Sequence, residues 1–596
     1  MDAKTWVFIL LGLYVAYCVY FGVEGFIKSK TAGDYAVAGR QIPMIAFLLA
    51  ATAASFSGWT YIGHPGMIWK FGLAYAFCSF YVLTIPITGT FFAKRTWLLG
   101  KRYGFITPGD MYAYYFGNEG MRWAVVIVAF LYSSFYSAVQ FVSAGAIFQW
   151  ATGVPFKIGA VIMAVICLLY VAMGGMRATT WVGAMQCIFL VGGIILIGAY
   201  VLYHIGGWTV LMSKLATLPP KKYLEIPSLI EFTVGQTKWT AIFILTYLFA
   251  LMGIQSSPAF TQWFFANKNP RPFPWQQAFA STWLVGFALF FFSAIQGLGA
   301  VFFTEQLGIA SDRDVVPKLM AAFLPPFVLA IVFIGAIAAM HSTAAPYIAT
   351  GSTILCRDVY FRSLRPKAGH AEQIWTSRLF AVVITIVALW VSFVSPEAIV
   401  MLGALATAFG FLMYLPLLGV IWGVRIPGLG AVLGVLAGVV VVYLTYSVWR
   451  YPLTIHMAAW GLFAALAVAF IVKVLGVKDS PEVQARQKEL REWLDSVDSP
   501  TPSQKKWRNA LKVLVPAWYL FAIGPLAMIG NKAFSFAGMP ALWSWQIVWW
   551  LLGMVMMWAL CFKAGLALVT EEQIARAETE QKLVVHEVAA PAPTKS

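Results

Sequence analysis

In the apolar stretch from 327 to 356, one short run carries groups that can do chemistry: Ala339, Met340, His341, Ser342 and Thr343. Two adjacent hydroxyls, one turn after a small residue whose carbonyl can be left free, offer a desolvated hard cation oxygen ligands without a carboxylate. The same hydroxyls can instead bond back to carbonyls four residues earlier, as hydroxyls in buried helices commonly do. The stretch alone leaves both readings open.

Two other runs interrupt apolar sequence in a chemically useful way. Around Ala51-Thr52-Ala53-Ala54-Ser55-Phe56-Ser57-Gly58-Trp59, small residues and a glycine let a helix unwind, and Gly63-His64-Pro65-Gly66 keeps it from re-forming cleanly. Unwinding frees carbonyls and amides inside the membrane. Gly253-Ile254-Gln255-Ser256-Ser257-Pro258 interrupts a later span in the same manner. Tight helix packing through small residues is the competing explanation.

The elements that must position these residues follow from composition. With 61% hydrophobic and 11% charged residues and a mean hydropathy of +0.78, the chain is an integral membrane protein rather than a soluble globular one. Apolar runs long enough to cross the hydrocarbon recur along nearly all of its 596 residues. They give about fifteen spans of roughly 20 residues, centred near 16, 54, 84, 136, 166, 192, 250, 290, 342, 384, 410, 437, 464, 522 and 555. The first, Trp6 to Phe26, has no small-residue cleavage site at its end and reads as a retained helix.

Charge sets the topology. The 41 basic residues outnumber the 24 acidic ones, but their placement argues against nucleic acid as a partner. With the N-terminus outside, about 30 of the 41 fall in cytoplasmic loops, as the positive-inside rule requires. Both the connector 476–510 and the C-terminal tail are then cytoplasmic. The six cysteines lie in or at the ends of apolar spans with no C-x-x-C spacing, so neither disulfides nor a zinc site is expected.

The chain divides into a core of about thirteen spans (1–475), a charged connector (476–510), two further spans (511–570) and a polar tail (571–596). Pro481–Val497 in the connector has the pattern of an amphipathic helix, and Ser499-Pro500-Thr501-Pro502 reads as a linker. The tail is expected to be helical at first and disordered at its end. Within the core, the two interrupted spans stand five spans apart. Corresponding breaks in two five-helix units point to an inverted-repeat transporter with its site at the bilayer midplane.

At these residues the chain resembles the sodium:solute symporters. Val37-Ala38-Gly39-Arg40 looks like the loop ahead of that family's broken first core helix, and Ser57-Gly58-Trp59 with Gly63-His64-Pro65-Gly66 looks like the helix itself. Gly174-Gly175-Met176-Arg177 with Trp181 and Gln186 is similar to the start of the fifth core helix, and Pro258 with Gln262 to the sixth. Ala339 to Thr343, ending downstream in Arg357-Asp358-Val359-Tyr360, resembles the eighth. The resemblance spans about residues 5 to 475 and implies an all-α polytopic membrane protein with a LeuT-like five-plus-five inverted-repeat core and extra helices. It further implies one sodium ion as the coupling ion, held by the carbonyls of Ala53, Phe56 and Ala339 and the hydroxyls of Ser342 and Thr343.

One departure limits the ion count. Members with a second sodium carry an Asp two residues after the tryptophan of the fifth core helix; here Trp181 is followed by Val182 and Gly183. No Asp or Glu lies near the middle of a span, so a second carboxylate site and a carboxylate proton relay are not expected. His64 and His341 are the remaining titratable candidates for proton coupling, against the plainer role of hydrogen-bonded packing residues.

For the solute, the residues beside the breaks are Ser57, Gly58, Trp59, Tyr136, Gln140, Gln255 and Ser256, since unwound amides and hydroxyls receive a carboxylate while Trp59 and Tyr136 cover an apolar part. Each can equally serve packing. Gly174 to Arg177 with Thr179-Thr180-Trp181-Val182 looks more like the acetate and monocarboxylate branch than the sugar branch, and an amino acid such as proline is the alternative solute. A different class is a membrane sensor, or a subunit that binds a membrane or cytoplasmic partner through the C-terminal helices and tail. No kinase-like or other catalytic domain accompanies the core, and no filter-like repeat marks a channel.

Overall fold

The computed structural model describes residues 2–231, 239–394 and 399–584, and among these the chain is helical with no strand. Eleven helices are long and apolar enough to cross a membrane, and three further spans are pairs of helices bent at a short break. One of the eleven, Phe156–Ile205, has 50 residues. At 1.5 Å per residue that is about 75 Å, far more than the ~30 Å of hydrocarbon. Gly175, at φ 52° and ψ −139°, divides it into two spans in series. Counted this way, the described residues hold fifteen candidate spans by length and composition, in line with the number expected.

In chain order the spans are α1 (Ala3–Lys28), α2 (Met44–Ser55 with Trp59–Phe71), α3 (Leu73–Tyr103), α4 (Glu119–Thr152), α5 (156–174), α6 (176–205), α7 (Ala241–Ser256 with Pro258–Ala266) and α8 (Pro272–Phe303). They continue with α9 (Pro326–Leu364), α10 (His370–Val394), α11 (Met401–Trp422), α12 (Gly428–Ser447), α13 (Met457–Val474), α14 (Pro502–Ala522 with Pro525–Asn531) and α15 (Ala541–Lys563). The breaks in α2 and α7 bend the chain by 54° and 42°.

Each break has a local cause. α2 stops at Ser55, and Phe56 turns extended at φ −126° and ψ 113°. α7 stops at Ser256; Ser257 is extended and its hydroxyl caps the next segment by accepting from the Phe260 N–H, with Pro258 at the first helical position. Small residues also let helices touch. A Cβ on Gly253 would lie 2.0 Å from the Thr407 carbonyl oxygen, and one on Gly410 would lie 2.2 Å from the Gly253 carbonyl oxygen, so α7 and α11 cross backbone to backbone.

Contacts sort the loops to two opposite ends. At one end Trp6 meets Phe327 with ring centroids 4.9 Å apart, Trp208 donates to the Ala537 carbonyl, and Thr240 bonds Thr454. At the other, Arg95 pairs with Asp498, Lys101 with Glu578 and Arg271 with Glu571. Ala38, Gly39 and Arg40 all take positive φ there, and the Arg40 guanidinium donates to the carbonyls of Phe105 and Phe265, tying the start of α2 to the ends of α3 and α7.

The connector helix forms over Pro481–Val497, burying Leu490, Trp493, Leu494 and Val497. The expected linker is shorter than its sequence suggests: Thr501 caps α14 in a capping box with Gln504, and Pro502 opens the helix, so α14 starts inside the stretch read as connector. Proline and threonine there mark a helix start rather than a loose segment. Glu571–Thr579 in the tail is helical, and the disorder expected at its end concerns 585–596, which lie outside the described residues.

Candidate functional site

The α2 break faces α9 at the hydroxyl pair. Ser342 Oγ lies 3.2 Å from the Ala53 carbonyl oxygen and 3.1 Å from that of Ala339, and Thr343 Oγ1 lies 3.4 Å from the Ala339 oxygen. All are buried. Oxygens that surround a calcium-sized cation at about 2.3–2.6 Å stand about 3.3–3.7 Å apart along an octahedral edge. The three observed separations, 3.1 to 3.4 Å, lie at or just below the short end of that range, as hydrogen bonds draw the groups together. Thr343 makes the backward bond of an ordinary buried hydroxyl, whereas Ser342 reaches across to another helix. Phe56 is extended at the same break, and its N–H donates to the Ala53 carbonyl at 3.2 Å.

The position of the missing carboxylate is crowded. A Cβ on Gly183 would sit 3.2 Å from the Cβ of Ala50, so α6 lies directly against α2 where another side chain would have to project.

The two candidate histidines have all their ring nitrogens engaged. His341 Nδ1 is 2.8 Å from the Tyr14 hydroxyl and Nε2 is 2.9 Å from the Met163 carbonyl oxygen. The carbonyl can only accept, so Nε2 carries the proton and Nδ1 accepts from Tyr14, whose oxygen in turn accepts from Gln186 Nε2 at 2.6 Å. His64 lies between the hydroxyls of Ser293 at 2.8 Å and Ser79 at 3.2 Å. Both are arranged as packing residues bridging helices.

At the α2 break the freed amides have found partners. The Gly58 N–H donates to Gln140 Oε1 at 2.9 Å, the Trp59 N–H to Ser57 Oγ at 3.1 Å, and the Ser57 N–H to Thr60 Oγ1 at 3.1 Å. A carboxylate arriving here must displace a side chain. Trp59 and Tyr136 line a central cavity with Ser55, Tyr81, Leu251, Ile254, Gly403 and Thr407, whose volume of about 10 Å³ is so small that a solute enters only as the helices part. Gln255 and Ser256 turn elsewhere. Gln255 Oε1 accepts from the Gly89 N–H of α3 at 2.9 Å, and Ser256 Oγ donates to the Gly410 carbonyl at 2.9 Å.

Sequence reasoning missed Ser55, Tyr81 and the α11 residues Gly403 and Thr407. The run Gly403-Ala404-Leu405-Ala406-Thr407 carried a usable signal, small and polar residues one turn apart in an apolar helix. It also missed the role of Arg357 and Asp358. Arg357 donates to Asp110 at 3.0 Å, and Asp358 accepts from Arg122 and from Thr107, joining the end of α9 to helix Pro108–Phe116 and α4. Burial opposes ionisation of Asp110, but the guanidinium groups of Arg357, Arg122 and Arg362 outweigh it and hold its pKa below the usual carboxylate range.

Two interrupted helices in corresponding places, a buried oxygen cluster at one break and an enclosed cavity beside it define a polytopic secondary transporter of the LeuT-like fold. The chain belongs to the sodium:solute symporter family, whose profile matches residues 35–438. It is 22% identical over 397 residues to the osmoregulated proline transporter OpuE of Bacillus subtilis (strain 168), covering 65% of this chain and 77% of that protein. It is 23% identical over 437 residues to a sodium/pantothenate symporter of Haemophilus influenzae (70% and 85% covered). It is also 23% identical over 466 residues to the sodium/proline symporter of Escherichia coli (strain K12) (74% and 88% covered). Among solved structures, the substrate-bound outward-open state of a Na+-coupled sialic acid symporter superposes with a TM-score of 0.68 at 18% identity, covering 80% of this chain and all of that one.

Proposed function

We propose that the protein couples inward movement of one sodium ion to uptake of a small carboxylate-bearing solute by alternating access, with a monocarboxylate as the solute and proline as the alternative that the similar transporters favour. One observation carries the coupling: the Ala53 carbonyl belongs to the oxygen cluster, while Ser55, two residues on in the same helix end, lines the solute cavity. The sodium ligands are the carbonyls of Ala53, Phe56 and Ala339 and the hydroxyls of Ser342 and Thr343. No cationic side chain lines the cavity, so the ion itself is the positive charge that favours a carboxylate there.

The two solutes differ electrically. One sodium crossing 100 mV contributes about 2.3 kcal/mol, and a tenfold concentration ratio adds about 1.4 kcal/mol. A zwitterion draws on both terms; a monovalent anion carried one to one draws on the second alone. Proteoliposome uptake of labelled acetate, propionate, lactate and proline, with sodium and proton gradients imposed separately, tests the reading. Equal uptake with and without sodium overturns it, and dependence on membrane voltage separates proline from the monocarboxylates.

The N-terminus faces outward and the C-terminus the cytoplasm of a bacterial inner membrane, a reading supported by the basic residues gathered at the end that holds the connector. The core 1–475 performs transport, and the connector 476–510, helices 511–570 and tail 571–596 brace it. Deleting 509–596 separates this from a sensor or partner-binding role, which predicts unchanged uptake with lost signalling or partner binding.

A further inference from the structure

Between α3, α7, α11 and α14 runs an apolar groove lined by Phe91, Phe249, Leu418, Trp422, Val515 and Tyr519, with a volume of about 720 Å³ and almost no polar surface. It is open on one side. Its lining comes from the half of α3 and the half of α11 nearest the connector, and Trp422 ends α11 at that face. Its α7 lining, Leu245, Phe249 and Met252, comes from the part of that helix farther from the connector, so the groove runs from the connector-side face to beyond the middle of the bundle.

α14 supplies a second feature. Its first turns read Lys505-Lys506-Trp507-Arg508-Asn509-Ala510-Leu511-Lys512, and Lys505, Lys506 and Lys512 are exposed. Among the described residues none of these three lysines pairs with a carboxylate, and Lys512 meets the side-chain oxygen of Asn509 at 3.2 Å. The nearby acids are already committed, Asp498 to Lys94 and Arg95, and Asp495 to Arg95. Lys512 stands three and four residues before Val515 and Pro516, and Lys505 two turns earlier, so both share the groove-lining face of α14. Basic residues at the start of a transmembrane helix, with an aromatic at the interface, have the chemistry that holds an anionic headgroup.

We propose that this groove is a site for one anionic phospholipid of the leaflet on the connector side, its acyl chain lying against Phe249, Leu418, Val515 and Tyr519 and its phosphate held by Lys505 and Lys512. The lipid fills the gap between the transporter core and the added helix. It also reaches Met252, next to the backbone crossing at Gly253, where Tyr519 Oη is 3.5 Å from Met252 Sδ. An uncharged phospholipid or an apolar helix of a partner satisfies the groove but leaves the lysines unused.

The test reconstitutes the full chain in liposomes of equal phosphatidylglycerol and phosphatidylcholine, re-extracts it in mild detergent and measures the retained lipids by mass spectrometry. Wild type is expected to retain one phosphatidylglycerol. Lys505→Gln with Lys512→Gln is expected to lower the phosphatidylglycerol preference about thirtyfold, since each basic residue near the surface contributes about 1 kcal/mol and 1.4 kcal/mol is tenfold. Both lysines are exposed, so this variant folds. Val515→Trp fills the groove and is expected to lose the bound lipid whatever its charge. Equal preference in wild type and the lysine variant, retention of phosphatidylglycerol by Val515→Trp at the wild-type level, or a copurifying helix crosslinked into the groove each overturns the proposal.

Discussion

Removing both hydroxyls, by Ser342→Ala with Thr343→Ala, is expected to raise the sodium concentration for half-maximal uptake by up to about a thousandfold. Three of the five assigned oxygens are backbone carbonyls that the substitutions leave in place. Each hydroxyl contributes an oxygen to a full charge, a class of contact worth about 1.5–3 kcal/mol. At 1.4 kcal/mol per decade, one hydroxyl is worth roughly thirtyfold in affinity and two approach a thousandfold, less where the remaining oxygens shift together. Misfolding does not explain such a loss. Among the described residues Ser342 Oγ bonds two carbonyls and Thr343 Oγ1 bonds one, all at 3.1 to 3.4 Å, so their removal costs about 1 kcal/mol each. The assay is initial uptake in proteoliposomes across graded external sodium, with choline as the replacement cation and size-exclusion profiles as the folding control. A monodisperse double variant with wild-type half-saturation refutes the assignment.

Four further outcomes follow from the geometry. Uptake by the wild type is expected to rise hyperbolically with sodium rather than sigmoidally, because Gly183 supplies no carboxylate and Ala50 crowds its position; a sigmoidal curve contradicts a single site. His341→Gln is expected to lower the thermal unfolding midpoint while leaving the pH profile of uptake unchanged, since both ring nitrogens serve Tyr14 and Met163; a shifted profile assigns it to proton coupling. Asp498→Asn leaves Lys94 and Arg95 without their buried carboxylate and is expected to destabilise the protein by about 3–5 kcal/mol, read as thermal unfolding in detergent and partly recovered by adding Lys94→Met. Gly253→Ala places a Cβ 2.0 Å from the Thr407 carbonyl oxygen and is expected to cost at least about 1–3 kcal/mol, measured as the yield of folded protein.

The sequence was most legible where the physics is local. The cost of leaving polar groups in hydrocarbon acts residue by residue, so fifteen apolar spans could be located from composition alone. The breaks were legible for a similar reason: glycine, proline and serine at Ser55 to Gly58 and Gly253 to Pro258 limit the helix where they stand. A family resemblance carried by particular motifs then brought Ser342 opposite Ala53.

Partners were not legible, because they depend on which helices meet. That the Gly58 amide goes to Gln140, 82 residues away, follows from α4 passing the break. Thr407 enters the cavity because α11 crosses α7 at Gly253, and Gln255 leaves it because the Gly89 N–H of α3 lies within reach of its side-chain oxygen. The connector gave the same lesson: Pro481–Val497 has the pattern of an amphipathic cytoplasmic helix, but that Asp498 just beyond it is buried beside Lys94 and Arg95 depends on the packing. Hydropathy and helix breaking are properties of short segments and add along the chain; the pairing of a buried polar group is a property of the assembled bundle, settled by whichever complementary group the packing brings within about 3 Å. By itself the sequence determined that this is a many-span membrane protein with two broken helices. Only the tertiary structure decided which freed groups remain available to an ion and a solute.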